Sequence, residues 1–119
     1  MDQKSKDKLK GVDERLVSVA ELAYQLSPVP FIITEGIRTI ERQKQLVAAG
    51  ASKTMQSKHL VGKAFDVAAK VGNEVRWDWP LYDTIAKAVK EAAKQLNVPI
   101  QWGGDWKSFK DGPHFELKE

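Results

Sequence analysis

The chain has two histidines and no cysteine, so a transition-metal site could be built only from His59, His114 and carboxylates. His59 and Asp66 lie seven positions apart in SKHLVGKAFD (57–66), with Gly62 between them. This spacing does not suit one helix face. It suits a loop ligand followed by a strand ligand, because glycine lets the backbone turn. Two imidazoles and one carboxylate form a three-ligand set with room for water, which is the catalytic form of a zinc site.

Convergence of these side chains depends on two predicted strands. GKAFDVAA (62–69) is predicted to be a strand with Asp66 near the core, where the carboxylate needs a charged or hydrogen-bonding partner. PHFEL (113–117) is predicted to be the last strand, and the preceding Gly-Pro turn directs His114 into the sheet. If the two strands are neighbours, the three potential ligands meet. The alternative is that the histidines are unrelated and that Asp66 forms a buried salt bridge with a lysine or arginine.

The rest of the pattern predicts helices packed on a small sheet. Apolar residues recur at helical spacing over about 5–26, and a β-branched apolar run predicts a strand over 31–34. A polar loop over 51–58 and a connection without a clear period over 71–80 separate the later elements. The other predicted elements are a helix capped by Thr39 and ended by Gly50, a helix over 81–96 capped by Asn97, and a strand over 98–102 joined to the last strand by a glycine-rich loop. This order indicates an α+β domain with a small antiparallel sheet and packed helices.

Composition and charge limit the class of protein. With 119 residues, 42% hydrophobic and 29% charged, the chain fits one globular domain over 1–119. No apolar run approaches the roughly 20 residues that span a bilayer, and the N-terminal segment lacks the apolar stretch of a secretory signal. The net charge of +3 favours anionic partners without choosing among nucleic acid, membrane and bacterial wall polymer. Nucleic acid is disfavoured, because the chain lacks an arginine-rich stripe or a stacked aromatic motif.

Three stretches resemble a known family. SKHLVGKAFD is similar to the Ser-x-His-x-x-Gly-x-Ala-x-Asp signature of zinc peptidases that act on bacterial peptidoglycan. The family includes D-alanyl-D-alanine carboxypeptidases, vancomycin-resistance dipeptidases and phage endolysins that cut the L-alanyl-D-glutamate bond. WGGDW followed by DGPHFEL resembles the second signature, and GIRTIERQ (36–43) resembles the stretch that carries an arginine. The match spans about 31–117, and the short chain without an export signal looks most like the phage endolysin branch.

The resemblance implies a role for each matching position. It implies a zinc ion held by His59, Asp66 and His114 in a fold shared with the D,D-peptidases and the Hedgehog signalling domain. It places the catalytic base at Asp111 and the arginine near the scissile carbonyl at Arg38. An arginine at a strand-to-helix junction also has a simpler explanation, an ion pair with a nearby glutamate at position 35 or 41.

The residues themselves leave the base open among Asp111, Glu116 and Asp105. Glu116 shares a strand face with the second histidine, so it could be the base or a partner that orients a ligand imidazole. Ser57 opens the first motif and is expected to support the site. Trp106, in the glycine-rich loop, is the tryptophan expected to line a substrate groove.

The expected function is therefore hydrolysis of a bond in the peptidoglycan stem peptide, and the favoured bond is L-alanyl-D-glutamate. The alternatives are a D-alanyl-D-alanine carboxypeptidase and a non-catalytic zinc-binding module of the same fold; an acidic residue at the base position argues against the module. We expect a monomer with one catalytic domain and no separate wall-binding domain. It would bind stem peptides, neither bind nucleic acid nor insert into membrane, and reach the wall after release from a host cytoplasm.

Overall fold

The computed structural model describes residues 1–52 and 55–119, so positions 53–54 of the predicted polar loop lie outside the described residues. Its helices are α1 (Gln3–Lys8), α2 (Glu14–Leu26), α3 (Ile40–Ala48) and α4 (Trp79–Leu96). Its strands are β1 (Phe31–Glu35), β2 (Ala64–Val71), β3 (Glu74–Arg76), β4 (Ile100–Trp102) and β5 (His114–Leu117). Two 3₁₀ turns, Lys58–Val61 and Gly103–Asp105, precede β2 and follow β4. None of the helices in the described part of the chain has the length and apolarity needed to cross a membrane.

The sheet is antiparallel and has β2 in its interior. The strand order is β1-β2-β5-β4, with β3 pairing to β2 as a hairpin. β5 lies beside β2 in the register that sets Asp66 opposite His114. On its other side, β2 pairs with β1, where Glu35 is the partner of Asp66. The order and the pairing confirm the predicted α+β class, and they meet the condition for the potential ligands to converge.

The two faces of the sheet have different roles. Phe65 of β2 and Phe115 of β5 are fully buried and stack with ring centroids 5.5 Å apart in the core against α2 and α4. Because side chains alternate along a strand, Asp66, His114 and Glu116 lie on the opposite face. The helices therefore fix the sheet from one side and leave its other face to the site.

The first predicted helix is wrong in one respect, since residues 5–26 form two helices. Apolar spacing continues through Leu9 and Val12, but Gly11 has a φ of +86° and Asp13 caps α2 by accepting from the backbone N–H of Arg15. The break between the two helices is packed against the turn before β2, because the N–H of Asp13 donates to the carbonyl of Gly62 at 2.8 Å. Side-chain periodicity alone does not reveal a backbone turn of this kind.

The predicted connection over 71–80 is also wrong in part. It contains β3, and α4 begins at Trp79 with Pro80 in its first turn, two residues before the predicted start. All three residues of β3 are exposed, so the strand has no apolar alternation by which it could be recognised. The remaining predicted strands and helices are present, and Thr39 and Asn97 cap α3 and α4 as expected.

Gly62 and Gly72 provide a matched test of how tightly the turn before β2 is packed. Both have positive φ (+70° and +62°), but a Cβ at Gly62 would lie 2.5 Å from the carbonyl oxygen of Gly11, whereas a Cβ at Gly72 would meet nothing within 4 Å. Gly72→Ala should cost about 1 kcal/mol of unfolding free energy from backbone strain alone. Gly62→Ala should cost at least about 2 kcal/mol more, because the backbone must also move. Urea denaturation of the two variants measures the difference, and equal losses would contradict this packing.

Candidate metal centre and active site

Three potential ligand atoms lie at nearly equal distances from one another. His59 Nε2 is 3.2 Å from Asp66 Oδ1 and 3.2 Å from His114 Nδ1, and the latter two atoms are 3.0 Å apart. Ligands at zinc–nitrogen distances of about 2.0–2.1 Å in a tetrahedral site are about 3.3 Å apart, so these separations are close to the required value. The three side chains can therefore hold a metal ion between them.

The outward-facing nitrogens of both imidazoles are bonded to acceptors. His59 Nδ1 lies 2.8 Å from the carbonyl oxygen of Gly36, and His114 Nε2 lies 2.8 Å from Glu116 Oε1. A carbonyl and a carboxylate can only accept, so each outer nitrogen carries the hydrogen. In the neutral rings the inner nitrogens then present lone pairs to the Asp66 carboxylate. In metal sites, the ring nitrogen of a histidine that does not bind the metal is usually hydrogen-bonded in this way, and that bond fixes the tautomer of the ring.

The backbone around His59 determines where its ring lies. His59 is in the 3₁₀ turn, which Ser57 caps by accepting from the His59 N–H at 3.2 Å. The His59 carbonyl accepts from the N–H of Arg38 at 2.8 Å, and this bond joins the turn to the end of β1. Gly36, whose carbonyl contacts the His59 ring, packs closely against the end of α1. Only a residue without a side chain fits there, because a Cβ would lie 2.1 Å from the carbonyl oxygen of Lys8. The structure thus places Ser57 at the start of the turn that contains His59, and Gly36 is a position that the sequence analysis missed.

The surroundings of the three ligands carry an excess of negative charge. They form one wall of a cavity of about 720 Å³. With neutral imidazoles, the described residues that line it supply four carboxylates and two cations, an excess of two negative charges that a divalent cation would balance. The carboxylates are Glu35, Asp66, Asp111 and Glu116, and the cations are Arg38 and Lys58. The charge and the donor set therefore both fit a divalent metal.

Burial and hydrogen bonding shift the titration of the site in opposite directions. Burial disfavours ionisation of Asp66, but hydrogen bonding and charge interaction with His114 and His59 outweigh it and lower the pKa of Asp66 to about 2. Burial likewise disfavours the charged form of His114, but Asp66 and Glu116 outweigh it and raise the pKa of His114 to about 9. For Asp111, burial raises the pKa, and the charge of Asp66 raises it further.

The three candidate bases lie in different surroundings. Asp111 lines the cavity, and its backbone joins the loop to β5 because its carbonyl accepts from the His114 N–H at 3.2 Å. Both oxygens of Glu116 are bonded, one to His114 and the other to Lys58 at 3.0 Å. Asp105 is not among the described residues that line the cavity; it pairs with Lys90 of α4 at 2.7 Å. Of the three carboxylates, Asp111 and Glu116 therefore line the cavity, whereas Asp105 pairs with α4 instead.

Arg38 lies in the cavity wall with partners on two sides. Its Nε and Nη2 pair with Glu35, which is one of the two glutamates expected from the sequence, and its Nη1 donates to Gln43 Oε1 at 2.6 Å. The Arg38 side chain is only 10% exposed. The sequence analysis missed Gln43. Its spacing of three residues from Leu46 and four from Val47 places it on the apolar face of α3, and a glutamine on such a face is a signal that could have been noticed.

Trp106 also reaches the cavity, as the sequence suggested. Its ring lies 5.2 Å from the ring of His114, centroid to centroid, and covers that ligand from the side of the glycine-rich loop. Lys58, which the sequence analysis did not single out, holds Glu116 from the other side. Nothing in the local pattern around Lys58 signals this contact, because its partner lies 58 positions away on β5.

Comparisons with known proteins agree with this geometry. The chain matches, over residues 1–118, the family described as phage L-alanyl-D-glutamate peptidase. It is 35% identical over 118 residues to the L-alanyl-D-glutamate peptidase of Escherichia phage T5, which covers 96% of this chain and 85% of that protein. Its structure is similar to that of Serratia marcescens L-Ala D-Glu endopeptidase ChiX, with a TM-score of 0.94, 45% identity, and 98% and 88% of the two chains covered. It is also similar in fold alone to the vancomycin resistance D,D-dipeptidase VanXYg, with a TM-score of 0.62, 17% identity, and 89% and 50% covered.

The raised pKa of His114 predicts that metal binding releases a proton. Below about pH 9 the metal-free imidazole keeps a proton that an incoming ion must displace. The affinity for Zn²⁺ should therefore rise by about tenfold per pH unit between about pH 6 and 8, with about one proton released per ion bound. Calorimetric titration in two buffers of different ionisation enthalpy measures that proton. Glu116→Gln removes one cause of the raised pKa, so its affinity should depend less on pH; proton-free binding by the unaltered chain would contradict the prediction.

Proposed function

Because this chain belongs to the phage L-alanyl-D-glutamate peptidase family, we propose that it hydrolyses the L-alanyl-D-glutamate bond of peptidoglycan stem peptides with the help of a zinc ion. The observation that carries the zinc assignment is the convergence of His59, Asp66 and His114 beside the carboxylate of Asp111 in one cavity. A cavity lined by three potential metal ligands and further carboxylates suits a hydrolytic metal site better than a closed structural one, which has four protein ligands.

His59, Asp66 and His114 would hold the zinc ion. When bound, zinc supplies Lewis acidity, which polarises a carbonyl and makes water acidic enough to attack near neutral pH. Glu116 and the carbonyl of Gly36 keep the two imidazoles in the tautomer that this binding requires. These contacts belong to the chain itself and exist without the ion.

Asp111 is the general base of this proposal. Its buried carboxylate has a raised pKa, which makes it a better proton acceptor than an exposed aspartate. It takes a proton from the attacking water as the new C–O bond forms, and it gives the proton to the amine nitrogen as the C–N bond breaks. One carboxylate thus serves both steps, and the site returns to its starting state.

Arg38 and Trp106 position the substrate. An N–H of Arg38 donates to the scissile carbonyl oxygen, where negative charge grows during attack. Trp106 covers the His114 ring and limits the access of bulk water from that side. Ser57 supports both parts of the site, because its hydroxyl caps the turn that carries His59 and accepts from Arg38 Nη1 at 3.4 Å.

The substrate class follows from the same assignment. Stem peptides carry carboxylates, and the net charge of +3 favours their approach to the protein. We place the catalytic work in one domain, 1–119, that acts as a monomer on the cell wall after its release from the host cytoplasm.

Replacing Asp111 separates the base from the metal site. Asp111→Asn keeps the size of the side chain but removes the proton acceptor, so kcat should fall by about 10²–10⁴-fold while bound zinc is retained. The matched control is Asp105→Asn, at an exposed carboxylate of the same loop, which should keep nearly the full rate. His59→Ala should lose both zinc and activity. Metal analysis and single-substrate kinetics give the answer; wild-type activity in Asp111→Asn would place the base elsewhere.

The products of wall digestion identify the bond that is cleaved. Purified peptidoglycan treated with the zinc-loaded protein should yield peptides that begin with D-glutamate and glycan chains that keep a terminal L-alanine. A D-alanyl-D-alanine carboxypeptidase would instead release free alanine, and a non-catalytic zinc-binding module would release nothing. Mass spectrometry distinguishes the three results. Release of alanine alone would replace the proposed bond with the D-alanyl-D-alanine bond.

A further inference from the structure

Gln43 is a polar side chain that is completely buried. It projects from α3, its exposed fraction is 0%, and it is not among the described residues that line the cavity. A buried amide is stable only when its donor and acceptor are both bonded. The partners of Gln43 are therefore informative, because they explain why a glutamine stands where a leucine would pack more simply.

The amide of Gln43 connects two residues of the cavity wall. Its Oε1 accepts from Arg38 Nη1 at 2.6 Å, and its Nε2 donates to Ser52 Oγ at 2.8 Å. A guanidinium has no acceptor, so the amide oxygen must face Arg38, and the orientation of the amide is determined by its chemistry. Arg38 and Ser52 both line the cavity, and Gln43 joins them from behind.

Arg38 is consequently held from two directions. Glu35 pairs with the Nε and Nη2 edge of the guanidinium, and Gln43 takes a hydrogen of Nη1. Two acceptors on different edges fix both the place and the plane of a rigid, planar group. Nη1 also donates to Ser57 Oγ, at the longer distance of 3.4 Å, so the bond to Gln43 is the shorter of the two contacts that hold this end of the guanidinium.

We infer that Gln43 is a positioning residue for peptide hydrolysis: it holds the guanidinium of Arg38 at the angle at which it meets the substrate, and it ties that angle to Ser52 across the end of α3. This inference rests on the proposed function, because it takes the substrate contact of Arg38 from there. Misplacement of a substrate-binding group by about 1 Å can cost about a hundredfold in rate. A buried hydrogen bond that prevents such misplacement would explain the glutamine.

The first test compares glutamines on one helix. Gln43→Met has a similar volume but no hydrogen-bonding amide, and its kcat should fall by about ten- to a hundredfold, with KM changed less and zinc affinity unchanged. Gln45→Met, two positions along on the exposed face of α3, is the control and should behave as wild type. Gln43→Glu keeps an oxygen facing Arg38 and should retain more of kcat than Gln43→Met. Wild-type kcat in Gln43→Met would overturn the inference.

A double-mutant cycle tests whether Gln43 acts through Arg38. In an Arg38→Met background, Gln43→Met should reduce kcat by less than about twofold further, because the group that it positions is already absent. Independent, multiplicative losses would overturn the inference while leaving the proposed function intact. Ser52→Ala, at a partly exposed residue, removes the hydrogen bond that the amide nitrogen of Gln43 donates, and it should lower kcat less than Gln43→Met does.

A measurement on the protein without substrate separates this inference from the proposed function. Nuclear magnetic resonance of ¹⁵N-labelled arginine reports rotation of the Arg38 guanidinium, which should be slow in the wild type and in Gln45→Met and faster in Gln43→Met. Equal rotation in the wild type and Gln43→Met would overturn the positioning role whatever the activity is. Absence of D-glutamate-terminated peptides from wild-type digests would overturn the proposed function and leave this physical result in place.

Discussion

The antiparallel pairing of β2 with β5 is the constraint on which the site depends. It sets Asp66 opposite His114, with the two potential ligand atoms, Asp66 Oδ1 and His114 Nδ1, 3.0 Å apart. A register slip of one residue would turn either side chain to the opposite face of the sheet, into the apolar core. Phe65 and Phe115, which are adjacent to Asp66 and His114 on their strands, stack within that core and make such a slip costly. The packing of two phenylalanines on one face of the sheet thus helps to determine the geometry of two potential metal ligands on the other face.

This constraint creates an electrostatic problem that the chain solves only in part. Two imidazole nitrogens and a carboxylate oxygen lie within 3.2 Å of one another, although all three are acceptors when the rings are neutral. Without an ion, the conflict is relieved by a proton, which is why the pKa of His114 rises to about 9. A divalent cation relieves it more completely, because it also balances the other carboxylates of the cavity. The fold therefore stabilises an arrangement that is favourable only with a positive charge at its centre.

How far the sequence predicts this molecule depends on the range of each interaction. Thr39 and Asn97 act on their own helix ends, so local residue preferences identify them. The ligand spacing in SKHLVGKAFD is also local, but its convergence with His114 needs a strand pairing that the sequence states only as a condition. No apolar pattern in the sequence indicates the helix break at Gly11 or the exposed strand β3. Lys58 and Gln43 act through partners brought close by folding, and these contacts become visible only in the structure.

The two functions of the site rest on supports of different kinds. Asp66 and His114 project from paired strands, whose geometry the core holds rigid. Arg38 instead lies after β1, and its orientation depends on the hydrogen bonds that it donates to the side chains of Glu35 and Gln43. Strand positions tolerate little change without loss of the fold, whereas a side-chain network can be altered one bond at a time. In the proposed function, the contacts that hold Arg38 can therefore be changed singly, whereas a change in the pairing of β2 with β5 would also move two of the potential metal ligands.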